Sequence, residues 1–150
     1  MKIRISLSDI FVRKVLLREE FKRKMGKDSI VKALNDFHAR RKPRPCGLTV
    51  HTVVGCSSRC IYCYIPDMGF SNVTPKPYGL SKEELLYALL SNPYFYPTIK
   101  GTYLAFGSIG EPFHPIGMEK TLEYIEAVAR YLKNPIQIST KAFLQDETCK

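Results

Sequence analysis

Leu48-Thr49-Val50-His51-Thr52-Val53-Val54-Gly55-Cys56-Ser57-Ser58-Arg59-Cys60-Ile61-Tyr62-Cys63 is the stretch on which the reading of the fold turns. Its first seven residues are rich in β-branched side chains, which predicts a strand over 48–54. That strand runs straight into Gly55 and then into three cysteines spaced C-x-x-x-C-x-x-C. A thiol loop at the C-terminal end of a strand lies where parallel α/β architectures bind their ligands. Three thiolates this close in sequence can converge on one soft metal centre, leaving one coordination position without a nearby ligand.

Downstream, residues 64–79 read as a long loop rich in Pro, Gly and Asn. Ser81 and Glu84 have the capping-box spacing, and the helix they open runs through Leu85, Leu86, Leu89 and Leu90 to Asn92-Pro93. A second strand is predicted over 101–107, then a helix over 117–133 with Leu122, Ile125, Val128, Ala129 and Leu132 inward, then a third strand over 136–140. Strands and helices alternate with no hairpin pair, which predicts an α/β fold with a parallel sheet or barrel segment. Each strand carries chemically useful residues just past its end: the cysteines, then Gly110-Glu111, then Ser139-Thr140-Lys141. Parallel strands bring all three groups to one edge.

Upstream lie two predicted helices. One covers 8–25, capped by Ser8 or Asp9, with an apolar stripe of Phe11, Val15, Phe21 and Met25 beside Leu16 and Leu17. The other covers 29–39 through Ile30, Val31, Leu34 and Phe37. Arg40-Arg41-Lys42-Pro43-Arg44-Pro45 is extended and marks a boundary. The domain reading is thus a basic helical N-terminal extension over 1–45 and a barrel-type segment over 46–150.

The chain has 150 residues and a formal net charge of +9. Residues 1–45 hold fourteen Lys or Arg against five Asp or Glu, so they carry the whole excess. Such a segment suits a polyanionic partner such as nucleic acid, or simply a solvated helix face. No apolar run approaches the roughly 20 residues of a membrane span, and the first residues lack a signal-peptide core. The expected location is a reducing cytoplasm, where clustered cysteines are metal ligands or redox groups rather than disulfides.

Three thiolates from Cys56, Cys60 and Cys63 suit an iron–sulfur cluster. A four-iron cluster with three protein ligands leaves one iron free for an exogenous ligand, and the amine and carboxylate of an amino-acid group can chelate there. Glu111 can accept from such an amine, and Lys141 can pair with such a carboxylate. A structural zinc site with Cys46 or His51 as fourth ligand is the alternative, although no second ligand pair follows. It would make the chain a non-catalytic zinc-binding nucleic-acid adaptor. His51 and His114 stand alone and read as structural, and Cys46 and Cys149 as incidental thiols.

Cys56-x-x-x-Cys60-x-Tyr62-Cys63 resembles the signature of the radical S-adenosylmethionine (radical SAM) superfamily. The resemblance implies a [4Fe–4S] cluster on the three cysteines and S-adenosyl-L-methionine on the fourth iron. It also implies reductive cleavage to a 5′-deoxyadenosyl radical, which abstracts hydrogen from a substrate, and an electron donor such as a ferredoxin or flavodoxin. Tyr62 would lie against the adenine. Ile109-Gly110-Glu111-Pro112 resembles the Gly-Gly-Glu motif that binds the cofactor amine, with Ile109 in place of the first glycine. Ser108 and Ser139 fall beside these positions and are further candidates for cofactor contact.

Within that superfamily the chain is most similar to the spore photoproduct lyase-like branch. The resemblance rests on Cys63-Tyr64, on Glu111-Pro112-Phe113-His114-Pro115 and on a strand ending Ser139-Thr140-Lys141. It assigns Lys141 to the cofactor carboxylate. The lyase's extra cysteine has no counterpart near the second strand, so lesion repair is not carried over; a nucleic-acid substrate is an expectation only. The resemblance spans about residues 46–145, three βα units of a partial (β/α)6 barrel. The expectation is therefore a barrel whose C-terminal half lies on a further segment or partner.

Overall fold

The β-branched run that opens the fold forms two strands, not one. In the computed structural model, which describes residues 6–143, β1 spans Leu48–Val50 and β2 spans Val53–Val54. β1 joins a three-stranded parallel sheet with β4 (Leu104–Phe106) and β5 (Ile136–Ile138), in the order β1-β4-β5. β2 leaves that sheet and pairs antiparallel with β3 (Lys76–Pro77). The expectation that no hairpin-type pair exists is corrected here. The β2–β3 ribbon clamps the base of the 55–75 loop, a pairing that two two-residue strands far apart in sequence do not announce.

Helices α1 (Leu7–Lys24) and α2 (Lys27–Asn35) precede the sheet, α3 (Lys82–Ser91) links β3 to β4, and α4 (Met118–Ala127) links β4 to β5. Neighbouring parallel strands are thus joined by helices, as a βα alternation requires. α3 begins with the anticipated capping box, Ser81 and Glu84 each bonding the other's backbone N–H. Every residue from Glu84 to Leu90 is buried, because α3 packs against α1, α2 and α4 and shares its core with β1 and β4. A helix covered on several sides is buried all round.

Other boundaries shift in ways that have physical causes. α1 is capped by Ser6, not Ser8 or Asp9; Asp9 is instead the reciprocal partner in the capping box. Of its predicted stripe only Phe21 is fully buried, whereas Phe11, Val15 and Leu16 stay exposed. Lys14 takes an inward position that an apolar stripe does not predict, donating to the Asn92 carbonyl at 2.5 Å. The second helix stops at Asn35, because Asp36 turns the chain and accepts from the His38 N–H to start a 3-10 turn over Phe37–Ala39. In α4 and the wider turn after it, Tyr124, Ala127, Val128 and Leu132 face inward, while Leu122 and Ala129 are exposed. Tyr124 holds its place by donating to the Leu80 carbonyl at 2.7 Å.

Leu48, Val50, Leu104 and Phe106 meet the leucines of α3 and Phe21, Ala33 and Ala39 of the basic segment in a single core. No helix among the described residues is long and apolar enough to cross a membrane.

Candidate functional site

Two close backbone approaches tie together the segments that follow β2, β4 and β5. Gly110 lies against the chain leaving β2, so that a Cβ there would stand 2.5 Å from the Val53 carbonyl oxygen and 2.8 Å from that of Gly55. The Gly55 N–H donates to the Ile109 carbonyl at 2.9 Å across the same contact. Gly107, at φ +93°, lies against the end of β5, where a Cβ would stand 2.1 Å from the Ser139 carbonyl oxygen. Only glycine permits both the left-handed backbone and the close approach at Gly107.

The result is one cavity of about 470 Å³ at the C-terminal edge of the sheet. Cys56, Cys60 and Cys63 line it, as do Tyr62, Ser108, Gly110, Glu111, Ser139 and Lys141. All nine residues singled out in the sequence therefore share one space. Tyr64, Thr140 and Gly107 line it too, although nothing in the sequence assigns them a ligand contact. Tyr64 is exposed, and its hydroxyl donates to the Ser108 carbonyl at 2.5 Å.

The three cysteines are free thiols. The Cys63 N–H donates to the Cys60 carbonyl at 3.0 Å, and the Ser58 N–H points at the Cys56 sulfur at 3.5 Å. Among the described residues no three His, Cys, Asp or Glu side chains stand close enough to hold a metal ion as placed. The donor chemistry nonetheless fits a soft metal: three thiols on one short loop and one cavity, with no disulfide consuming them. Cys46 lies before β1, away from this cavity, and Cys149 lies outside the described residues.

Glu111 is only 8 % exposed, and its carboxylate is heavily engaged. Oε1 accepts from the Phe113 N–H at 3.1 Å and from the Thr140 hydroxyl, and Oε2 accepts from the Lys141 N–H at 2.7 Å. A carboxylate offers about four acceptor positions, so about one remains. The Lys141 ammonium lies at the surface, donating to the Tyr62 hydroxyl at 2.5 Å. That hydrogen bond raises the lysine's pKa.

Behind the cavity runs a polar chain that the sequence does not reveal. Arg41 donates to His51 Nε2 at 3.1 Å. Arginine has only donors, so Nε2 is the acceptor and Nδ1 carries the proton, which faces Ser108 Oγ at 3.4 Å. The Ser108 hydroxyl proton is then free to point elsewhere. Burial first, and the neighbouring His38 and Arg41 next, push His51 down to about 3. The His51 backbone N–H donates to His38 Nε2 at 3.1 Å, so His38 carries its proton on Nδ1, 2.5 Å from Asp36 Oδ1. Tyr78 completes the chain by donating to Asp36 Oδ2 at 2.6 Å. Burial opposes ionisation of Asp36, but the His38 and Tyr78 hydrogen bonds outweigh it and hold the carboxyl at about 2. With both ring nitrogens of His51 engaged, that side chain has no lone pair to offer the thiols.

No family model, no curated protein and no solved structure matches the chain. Fold and site together define an α/β protein with a parallel three-stranded sheet and a thiol-lined cavity at its C-terminal edge.

Proposed function

We propose that the chain is a radical S-adenosylmethionine iron–sulfur protein whose sheet is part of a (β/α) barrel. The observation that supports this most is the convergence of Cys56, Cys60 and Cys63 with Glu111 and Lys141 on one cavity. Three thiolates and two opposite charges are the groups needed to hold a cluster and the two ends of an amino acid beside it. With its cofactor bound, such a cluster supplies one-electron reductive cleavage of S-adenosylmethionine and hydrogen abstraction from a substrate.

The chain's own residues take distinct parts. Cys56, Cys60 and Cys63 are the cluster ligands, drawn together by adjustment within a loop whose base is clamped by β2 and β3. The Lys141 ammonium leaves Tyr62 to meet the cofactor carboxylate, and the remaining acceptor position of Glu111 takes the amine. Tyr62, 72 % exposed, offers its ring to the adenine. Gly110 lets the backbone approach closely, and Ser108 and Ser139 offer hydroxyls at the rim.

The test is anaerobic reconstitution with iron and sulfide, followed by dithionite and S-adenosylmethionine. Brown protein with about four irons and four sulfides per chain, releasing 5′-deoxyadenosine, is the expected result. Colourless protein carrying one zinc overturns the reading.

A further inference from the structure

A second cavity, of about 480 Å³, lies at the opposite edge of the sheet. Its lining comes from residues 43–47, just before β1, from residues 94–103, just before β4, and from Leu7 and Ile10 of α1. β1 and β4 run parallel, so these segments share the N-terminal edge while the thiol cavity occupies the other. Three phenol rings line this cleft, Tyr94, Tyr96 and Tyr103, the first 40 % and the last 58 % exposed. Arg44 and Lys100 line it as well, and Lys42 Nζ stands 5.7 Å from the centre of the Tyr94 ring. Among the described residues that line it, none is acidic.

The rings stand on a fixed backbone. The Tyr94 N–H donates to Asn92 Oδ1 at 2.9 Å and the Tyr96 N–H to Thr102 Oγ1 at 3.0 Å. The Asn134 amide donates to the carbonyls of Tyr96 and Thr102 at 2.9 and 2.8 Å. The Tyr103 carbonyl accepts from the Leu48 N–H at 2.8 Å, and Arg44 exchanges two backbone hydrogen bonds with Gly47 at 2.9 and 2.8 Å. Aromatic faces and cations are thus presented together on an ordered backbone. Tyrosines that served only the core would be buried, and cations that served only solubility would be interspersed with acids.

We propose that this cleft binds a single strand of nucleic acid. Bases stack on Tyr94 and Tyr103, and backbone phosphates meet Arg44, Lys42 and Lys100. Every base has a π-face, so stacking platforms flanked by cations hold single strands with little sequence preference. A duplex hides those faces in its own stack. The cleft continues the Arg40–Pro45 run, so the positive field extends past one nucleotide. The inference stands apart from the thiol cavity and does not need it occupied.

Fluorescence anisotropy of the whole chain with a labelled oligothymidylate of about ten nucleotides tests it. Affinity should fall steeply between about 50 and 200 mM salt. Tyr103→Ala should weaken binding about tenfold, while Tyr103→Phe keeps it, because the ring face and not the hydroxyl is used. Both changes fall on an exposed side chain. Lys100→Ala and Arg44→Ala should weaken binding and flatten the salt dependence. Three results would each overturn the proposal: unchanged affinity in Tyr94→Ala and Tyr103→Ala, a duplex of equal length binding as tightly, or free thymidine monophosphate competing as well as the strand.

Discussion

The carboxylate of Glu111 accepts the backbone N–H of Lys141 at 2.7 Å, joining the turn after β4 to the turn after β5. With the Phe113 N–H and the Thr140 hydroxyl as further donors, one buried charge fixes the cavity's shape from three directions. Glu111→Gln leaves one acceptor oxygen and turns an NH₂ towards a donor. The expected cost is about 2 kcal/mol, since hydrogen bonds to a charged acceptor exceed neutral ones and an unmet buried N–H adds its desolvation. Urea unfolding of the two proteins measures it. A loss below about 0.5 kcal/mol would mean that the three bonds do not hold the edge together.

Gly107→Ala and Gly110→Ala should each destabilise the fold by more than about 2 kcal/mol. The added Cβ would meet the Ser139 carbonyl oxygen in one case and that of Val53 in the other, both backbone atoms that cannot rotate away. Gly79→Ala is the control, with nothing within 4 Å of its Cβ position. Equal unfolding midpoints for all three variants would remove the two contacts as the ties between strand ends.

Those ties also explain what the sequence could and could not disclose. Glu111 and Lys141 are legible as partners because β4 and β5 are parallel neighbours that deliver their C-terminal residues to one edge, whatever their lengths. Cys56 reaches that edge from β2, outside the sheet, through the Gly55–Gly110 bridge. The Ser81–Glu84 box was legible because both partners lie within one turn. The break between Val50 and Val53 was not, since it depends on Lys76 and Pro77 reaching back. Nor was the burial of Lys14 or the His38–His51 contact, each of which joins residues far apart in sequence. The exposed Phe11, Val15 and Leu16 show the limit of periodicity: it marks an apolar face, not what covers it.

Stability should fall as the pH drops from neutral, in two windows. His51 is pushed down to about 3 from an ordinary 6.5, so the unfolded chain binds its proton first. Its contribution is complete above pH 6.5 and is lost as the pH falls towards about 3. The loss is on the order of 3 kcal/mol by about pH 4. Asp36, held at about 2 against 3.8, adds a contribution of about 2 kcal/mol that is present above 3.8 and lost as the pH falls through about 2. Unfolding midpoints between about pH 2 and 7 should show both slopes. His51→Gln should flatten the upper window and Asp36→Asn the lower. An upper slope that survives His51→Gln would assign it to other groups.

Lys14 offers a slope of the same sign at high pH. Burial, and then the charge of Arg18, push its pKa down to about 8 from 10.5, so the folded chain releases the proton first. Stability should therefore rise between pH 8 and 10.5 on this account. Lys14→Met keeps the apolar stem and removes the charge, so it should abolish the rise and leave the protein at least as stable at pH about 7. A loss of stability there would show that the bond from Lys14 to the Asn92 carbonyl outweighs the cost of burying the ammonium.

Cluster retention and cofactor affinity should separate by residue. Cys56→Ala, Cys60→Ala and Cys63→Ala each remove one of the three thiols on the cavity and should each take the iron content of reconstituted protein close to background. Cys46→Ser, away from the cavity, should keep it. Lys141→Met removes a surface ammonium that touches Tyr62 and no thiol ligand, so it should leave the iron in place. It should weaken S-adenosylmethionine binding about tenfold, the scale of one charge-assisted hydrogen bond. Metal analysis beside equilibrium dialysis reads both quantities on the same samples. Iron lost equally from Cys46→Ser would move the ligand set towards a four-thiol site, whereas unchanged affinity in Lys141→Met would release the lysine from the carboxylate and leave it to Tyr62 alone.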